Sequence, residues 1–277
     1  MRIVSLLPGA TEVLFALGLG ESVVGVTHEC DFPAAARELP RVTRSKLPLD
    51  GLDSGGIEAA VAAAAGAGQE LYGVDLRRVR ELRPDLVVAQ DVCAVCAVPA
   101  DQVELGLPGV RVLRQHPHSL DDVLAGIDEL ASECGVDAGP LLDGLRARIE
   151  LVAERAARRP RRRGVFLEWL DPPYRAGHWT PDLLRLAGID DPLARAGIPS
   201  VPVGWQEVAD ARPELLILAP CGFDRARAGK EAALVEASIR ATGATRVSIF
   251  DGSAYFNRPG PRLVDSLELL DGAAAAR

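Results

Sequence analysis

Gly139-Pro-Leu-Leu-Asp-Gly-Leu-Arg-Ala-Arg-Ile-Glu-Leu-Val-Ala-Glu-Arg-Ala-Ala-Arg-Arg159 is the stretch on which the organisation of this chain turns. Pro140 suits a first helical turn, where its missing N–H is no loss, and Asp143 sits where the helix dipole favours a carboxylate. Leu142, Leu145, Ile149, Val152 and Ala156 recur at three- and four-residue steps, the apolar stripe of an amphipathic helix. Arg158 and Arg159 complement the C-terminal end, and Pro160 stops it. At 1.5 Å per residue such a helix is roughly 30 Å long.

The sequences on either side of it resemble each other. Before it stands Leu76-Arg-Arg-Val-Arg-Glu-Leu-Arg-Pro-Asp-Leu-Val-Val-Ala-Gln90, followed by Cys93. After it stands Gln206-Glu-Val-Ala-Asp-Ala-Arg-Pro-Glu-Leu-Leu-Ile-Leu-Ala219, followed by Cys221. Each reads as a short helix, an Arg-Pro-acid break, a buried strand and a loop carrying a cysteine. A looser pair matches Arg2–Gly18 with Gly164–Leu170 continued by Gly177–Gly188, strand then helix in both. The pattern predicts an α/β protein of two similar Rossmann-like lobes with parallel sheets, joined by one long rigid helix. The expected limits are an N-terminal lobe over 1–138, the linking helix over 139–160, and a C-terminal lobe over 161–277 whose last helix packs back toward the link.

A chain of 277 residues, 48% hydrophobic and 25% charged, is long enough for two lobes with substantial cores. Its net charge of −8 argues against general nucleic-acid or anionic-membrane binding. No apolar run approaches the ~20 residues of a membrane-spanning helix. Ile3–Leu7 reads as a first strand and not as a leader, and five cysteines are an odd set in a chain of this size. Both point to a cytoplasmic protein for the chain as it stands.

In open parallel sheets ligands bind beyond the carboxyl ends of the strands. The loops predicted there are Pro8-Gly9-Ala10-Thr11, His28–Asp31 and Asp91–Cys96 in the first lobe. In the second they are Glu168–Trp179, Trp205, Pro220–Phe223 and Tyr255–Arg258. All three tryptophans and two of three tyrosines fall in these loops, the composition of a cleft for a bulky, partly apolar small molecule. The candidate ligand-binding residues are Pro8, Gly9, Ala10, Thr11, His28, Asp91, Cys93, Trp169, Tyr174, His178, Trp179, Trp205, Tyr255 and Arg258. For His178 the competing reading is a hydrogen bond to the following helix start.

Cys93-x-x-Cys96 reads in four ways: two small buried residues, a thiol–disulfide pair, thiols lining the cleft, or half of a zinc site completed by His28 and Cys30. Glu168 is a candidate general base, without a nucleophile beside it in sequence. The run Arg158–Arg163 reads as a solvated helix end rather than a phosphate patch. Gly-x-x-x-x-Gly-Lys, Gly-x-Ser-x-Gly and His-Glu-x-x-His are all absent from the sequence. The alternative to a binding protein is a cytoplasmic metal- or thiol-dependent enzyme that uses the Cys93/Cys96 loop on a small substrate.

Taken together, Arg2-Ile-Val-Ser-Leu-Leu-Pro-Gly-Ala-Thr-Glu12, Val24-Gly-Val-Thr27 with Asp31-Phe-Pro33, Leu76–Ala89, Val165-Phe-Leu167 and Ser253-Ala-Tyr-Phe256 with Pro261-Arg262 resemble the class III substrate-binding proteins of ABC importers. The last of these stretches is most like the cobalamin-binding members. The resemblance spans nearly the whole chain. It implies a binding protein and not an enzyme, one that captures a cobalamin-like corrinoid, haem or a ferric chelate in the cleft between its lobes, with an ABC importer as partner. The resembled family is periplasmic or cell-surface. The loop Asp91-Val-Cys-Ala-Val-Cys96 and Glu168-Trp-Leu-Asp-Pro-Pro-Tyr174 with Gly177-His-Trp179 set this sequence apart and suggest an intracellular branch.

Overall fold

The computed structural model of the chain describes residues 1–90 and 100–276. By contact these form two compact units. The first comprises Met1–Asp50, Ala59–Pro117 and Asp121–Asp143; the second comprises Gly51–Glu58, His118–Leu120 and Gly144–Arg277. Two short segments from the first half of the chain, 51–58 and 118–120, thus belong to the second unit, which sequence periodicity does not reveal.

In the first unit the strands are β1 (Ile3–Ser5), β2 (Val23–Val26), β3 (Thr43–Ser45), β4 (Tyr72–Val74), β5 (Leu86–Gln90) and β6 (Arg111–Gln115). Four make a parallel sheet in the order β2-β1-β5-β6, while β3 and β4 form a separate antiparallel pair. The helices of the first half are α1 (Pro8–Ala16), α2 (Ser54–Gly66), α3 (Leu76–Leu82), α4 (Ala100–Gly106) and α5 (Leu120–Cys134). Helix α1 begins at Pro8, so the stretch Pro8–Thr11 read as a loop is the first helical turn. Proline at the first position pre-sets the helical φ, and Thr11 lies inside the first turn with its Oγ1 3.1 Å from the Leu7 carbonyl.

Helix α6 (Gly139–Ala157) follows. Leu142, Leu145, Val152 and Ala156 are buried and Ile149 is half-buried, so the apolar stripe faces inward as its spacing requires. The second unit continues with β7 (Arg162–Leu170), β8 (Pro173–Arg175), α7 (Thr180–Leu186), β9 (Ile189–Asp190), α8 (Trp205–Asp210), β10 (Leu215–Leu218), α9 (Arg225–Leu234), α10 (Glu236–Ala241), β11 (Arg246–Ile249), α11 (Gly252–Tyr255) and α12 (Leu263–Ala275). Helices α9 and α10 meet at Val235.

The sequence repeat is a repeat of structure within each unit. Around β7 the parallel order is β9-β7-β10-β11, the counterpart of β2-β1-β5-β6. Ile3 pairs with Leu86 and Leu86 with Arg111; at the corresponding places Gly164 pairs with Leu215 and Leu215 with Arg246. Val4, Leu6, Val79, Val87 and Ala89 share one buried cluster, and Val165, Leu167, Val208, Leu216 and Leu218 share the other. At the Arg-Pro breaks, Arg83 and Arg212 both adopt a left-handed conformation, φ 47° and 46°. The Asp85 and Glu214 amides beyond them donate to the Arg2 and Arg163 carbonyls.

The arginine-rich end of α6 is tied into the second unit and is not a free anion patch. Arg148 pairs with Asp265 (2.5 Å) and Glu268 (2.8 Å), and Arg155 and Arg159 both reach Asp271. All three acids lie on α12, which thereby packs against α6. Arg161 binds Asp190 at 2.6 Å.

Candidate functional site

The carboxyl ends of β7 and β10, with the turn into β8, gather the polar and aromatic residues of the second unit. Strand β8 runs antiparallel to the end of β7, pairing Trp169 with Tyr174 and Leu170 with Pro173. Trp169 stands 5.0 Å from Phe223, ring centre to ring centre, and the Arg227 guanidinium lies 3.8 Å above the other ring in a cation–π contact. The Trp169 indole N–H donates to the Ser54 carbonyl at 3.2 Å, and the Tyr174 hydroxyl donates to Glu58 Oε1 at 2.8 Å. Burial, helped by the Glu58 carboxylate, pushes the Tyr174 phenol up to about 12.

Glu168 turns its carboxyl into the protein and accepts from the Gly177 amide at 2.9 Å. Loss of water around it pushes its pKa up to about 7, and the donors Gly177, Thr180 and Ser200 only partly offset that. Gly177 is obligatory beside it, since a Cβ there would overlap the Ser200 amide and come within 2.7 Å of the Ile198 carbonyl. His178 follows in a left-handed conformation (φ 47°), its ring stacked 5.8 Å from His118. Its pKa is lowered by burial first and by His118 second. Glu168 therefore holds the loop of Gly177 in place.

In the first unit the corresponding strand ends are closed by small hydroxyls. Thr11 Oγ1 lies 2.9 Å from Ser5 Oγ and 3.1 Å from Cys30 Sγ, and Thr27 Oγ1 is also 3.1 Å from that sulfur. Thr11 and Cys30 are buried, as are Gly9 and Ala10, while Pro8 stays half-exposed. His28 Nδ1 is 2.7 Å from Thr43 Oγ1, and its ring is 5.8 Å from that of Tyr72. Burial lowers the His28 pKa, which Glu29 partly restores and Arg41 lowers further.

Of the residues singled out from sequence, Trp169, Tyr174 and His178 come together around β8 with Glu168. Trp179 is turned inward, and its indole donates to the Phe256 carbonyl at 2.9 Å. Trp205 opens α8 and packs on the cluster of Val165 and Leu167. Tyr255 lies 5.7 Å from the Arg262 guanidinium, and the buried Arg258 donates to Ser253 Oγ at 3.2 Å. Asp91, Cys93 and Cys96 lie outside the described residues. Of the proposed zinc set, Cys30 points its sulfur at two threonines and His28 gives one ring nitrogen to Thr43. Among the described residues no three His, Cys, Asp or Glu groups are placed to hold a metal ion.

Sequence reading missed Ser54, Glu58, His118 and Glu231. Ser54 donates to the buried Glu231 carboxylate with its amide and its hydroxyl, both at 2.8 Å. The one available signal was Ser54-Gly-Gly, a helix-start composition; its partner, 177 residues away, leaves no local mark. A depression of about 580 Å³ sits at the opposite, amino ends of the same strands. Arg161, Arg163, Arg185, Asp190 and Glu214 line it, charges of both signs that largely neutralise one another.

No family model matches the chain. It is similar to the vitamin B12-binding protein of Vibrio vulnificus, 25% identical over 225 residues that cover 79% of this chain and 71% of that one. Among solved structures it is similar to the periplasmic vitamin B12 binding protein of Vibrio cholerae, with a TM-score of 0.71, 21% identity and coverage of 99% and 96%. A periplasmic heme binding protein of Pseudomonas aeruginosa gives a TM-score of 0.72 at 21% identity, covering 100% and 94%. The fold is thus that of the class III substrate-binding proteins, as the sequence resemblance implied, and the proteins it is similar to are binding proteins and not enzymes.

Proposed function

We propose that this chain is a small-molecule binding protein whose ligand is a cobalamin-like corrinoid or a related metal chelate. The observation that carries the reading is the similarity to a vitamin B12-binding protein across 79% of the chain. Supporting it are the half-buried Trp169 and Tyr174, paired across β7 and β8 at the carboxyl end of β7, with Trp169 backed by the buried Phe223. An ABC importer is the proposed partner, after the resembled family. The zinc site remains a proposal only through Cys93 and Cys96. A cytoplasmic location rests on the odd set of five cysteines; fractionating cells that express the native gene tests it, and recovery outside the cytoplasm overturns it.

Tryptophan fluorescence tests the binding reading, because all three tryptophans belong to the second unit. Titration with cyanocobalamin, haemin and a ferric hydroxamate should give saturable quenching by at least one, strongest for the corrinoid. Linear, unsaturable quenching by all three would overturn it.

A further inference from the structure

The segment 51–58 is laid over the ligand end of the second unit and fastened there by five hydrogen bonds. Two come from Ser54 to Glu231 at 2.8 Å, one from Trp169 to the Ser54 carbonyl at 3.2 Å, one from Tyr174 to Glu58 at 2.8 Å, and one from Arg227 to the Leu52 carbonyl at 2.9 Å. Their four partners sit on three elements of that end: Trp169 on β7, Tyr174 on β8, and Arg227 and Glu231 on α9. Gly55 passes so near the turn after β7 that a Cβ would stand 2.7 Å from Asp171 Oδ2. The fit is close, and it engages the indole N–H of Trp169 and the hydroxyl of Tyr174.

We infer that residues 51–58 are an autoinhibitory strap, a built-in occupant of the aromatic end of the second unit that a large planar ligand must displace to reach Trp169 and Tyr174. A wall built only to line a site leaves the polar handles of its aromatic residues for the ligand; here the strap takes both. The fastening is also reversible. Each bond is worth little net, because water replaces the partner on release. Ser54 and Glu231 are the anchor, since both are buried and the Glu231 carboxylate loses two donors if the strap leaves. The Glu58–Tyr174 bond is part-buried and the Arg227–Leu52 bond exposed, so these two flank the anchor. The inference rests on the binding reading above.

The test compares the full-length protein with Glu58→Ala and Gly55→Ala, using cyanocobalamin as the probe. Glu58→Ala removes the bond to Tyr174 and keeps a good helix former; Gly55→Ala drives a methyl into Asp171. Stopped-flow quenching should show association at least fivefold faster, and a Kd at least threefold lower, in both variants. Hydrogen exchange should show amides 52–57 opening faster without ligand. Quenching in the unaltered protein reads the binding proposal; the ratio of variant to unaltered protein reads the strap. Unaltered protein that binds, with variants that are folded but bind no faster and no tighter, overturns the strap and leaves the binding reading standing. Binding that appears only in the variants supports both. No binding in any form overturns both. If either variant fails to fold, the other carries the comparison, and Tyr174→Phe, which removes only the hydroxyl, supplies a third.

Discussion

The two sheets share an order, a register and even a left-handed arginine, yet their ligand ends are finished differently. In the first unit the ends of β1 and β2 are sealed by Ser5, Thr11, Thr27 and Cys30, whose hydroxyls and thiol satisfy one another. In the second, β7 runs on past the equivalent point and folds back as β8, bringing Glu168, Trp169 and Tyr174 to the same end. The frame is set by alternating apolar residues and by the Arg-Pro break. What is mounted on it is set by a few residues after each strand. Related frames thus carry chemically unlike ends, one closed by small hydroxyls and the other aromatic.

Glycine substitutions break the comparison hardest. A Cβ on Gly252, just after β11, meets the backbone carbonyls of Pro220 and Ala219, which cannot rotate away; a Cβ on Gly25, in β2, meets the Leu82 side chain at 2.7 Å, which can. Gly252→Ala should cost about 3 kcal/mol, at the upper end of overpacking, and Gly25→Ala about 1 kcal/mol. Calorimetric melts that show equal costs would mean the second unit is no more tightly built than the first.

Glu168 gives the next largest effect, with a defined pH signature. Its native pKa near 7 stands above the ordinary 4.5, so the fold holds the proton more tightly than the unfolded chain does. The stability contributed by the neutral form is complete below pH 4.5, falls as pH rises toward 7 and stays lost above it. Glu168→Gln keeps an acceptor for the Gly177 amide and cannot ionise. Its advantage over the unaltered protein should grow from nothing at pH 4.5 to about 3 kcal/mol above pH 7. A difference that does not change with pH would show that the carboxyl is solvated.

Thr11→Val should cost about 1–2 kcal/mol by leaving Ser5 and Cys30 without that hydroxyl. It should leave cyanocobalamin quenching unchanged, because the threonine is buried within the first unit. The smallest effect sharpens the equivalence itself. Left-handed geometry costs a non-glycine residue about 1–2 kcal/mol, and glycine gives back roughly 0.5–1 kcal/mol in chain entropy. Arg83→Gly and Arg212→Gly should therefore each stabilise by about 0.5 kcal/mol. Similar shifts in urea midpoint are expected, and shifts of opposite sign would show that the two breaks are not alike.

The frame was legible because it obeys periodic rules. Leu142, Leu145, Val152 and Ala156 announce a helix face, and Arg83-Pro84 and Arg212-Pro213 announce the same break twice. The aromatic end was legible only as composition. Trp169 and Trp179 look alike in sequence, yet one lies at the ligand end and the other donates to Phe256 in the interior. Strand β8 is three residues long and carries no alternation to detect. The strap was not legible at all, because the Ser54–Glu231 pairing is decided by tertiary packing and neither residue has a neighbour that predicts the other.

Hydrogen exchange with and without cyanocobalamin locates the ligand on the chain. Protection of 168–178 and 221–223 is expected, with loosening of 52–57 as the strap is displaced and no change at 188–196 on the amino ends of the strands. Protection confined to 188–196, with 168–178 unchanged, would contradict binding at the aromatic end.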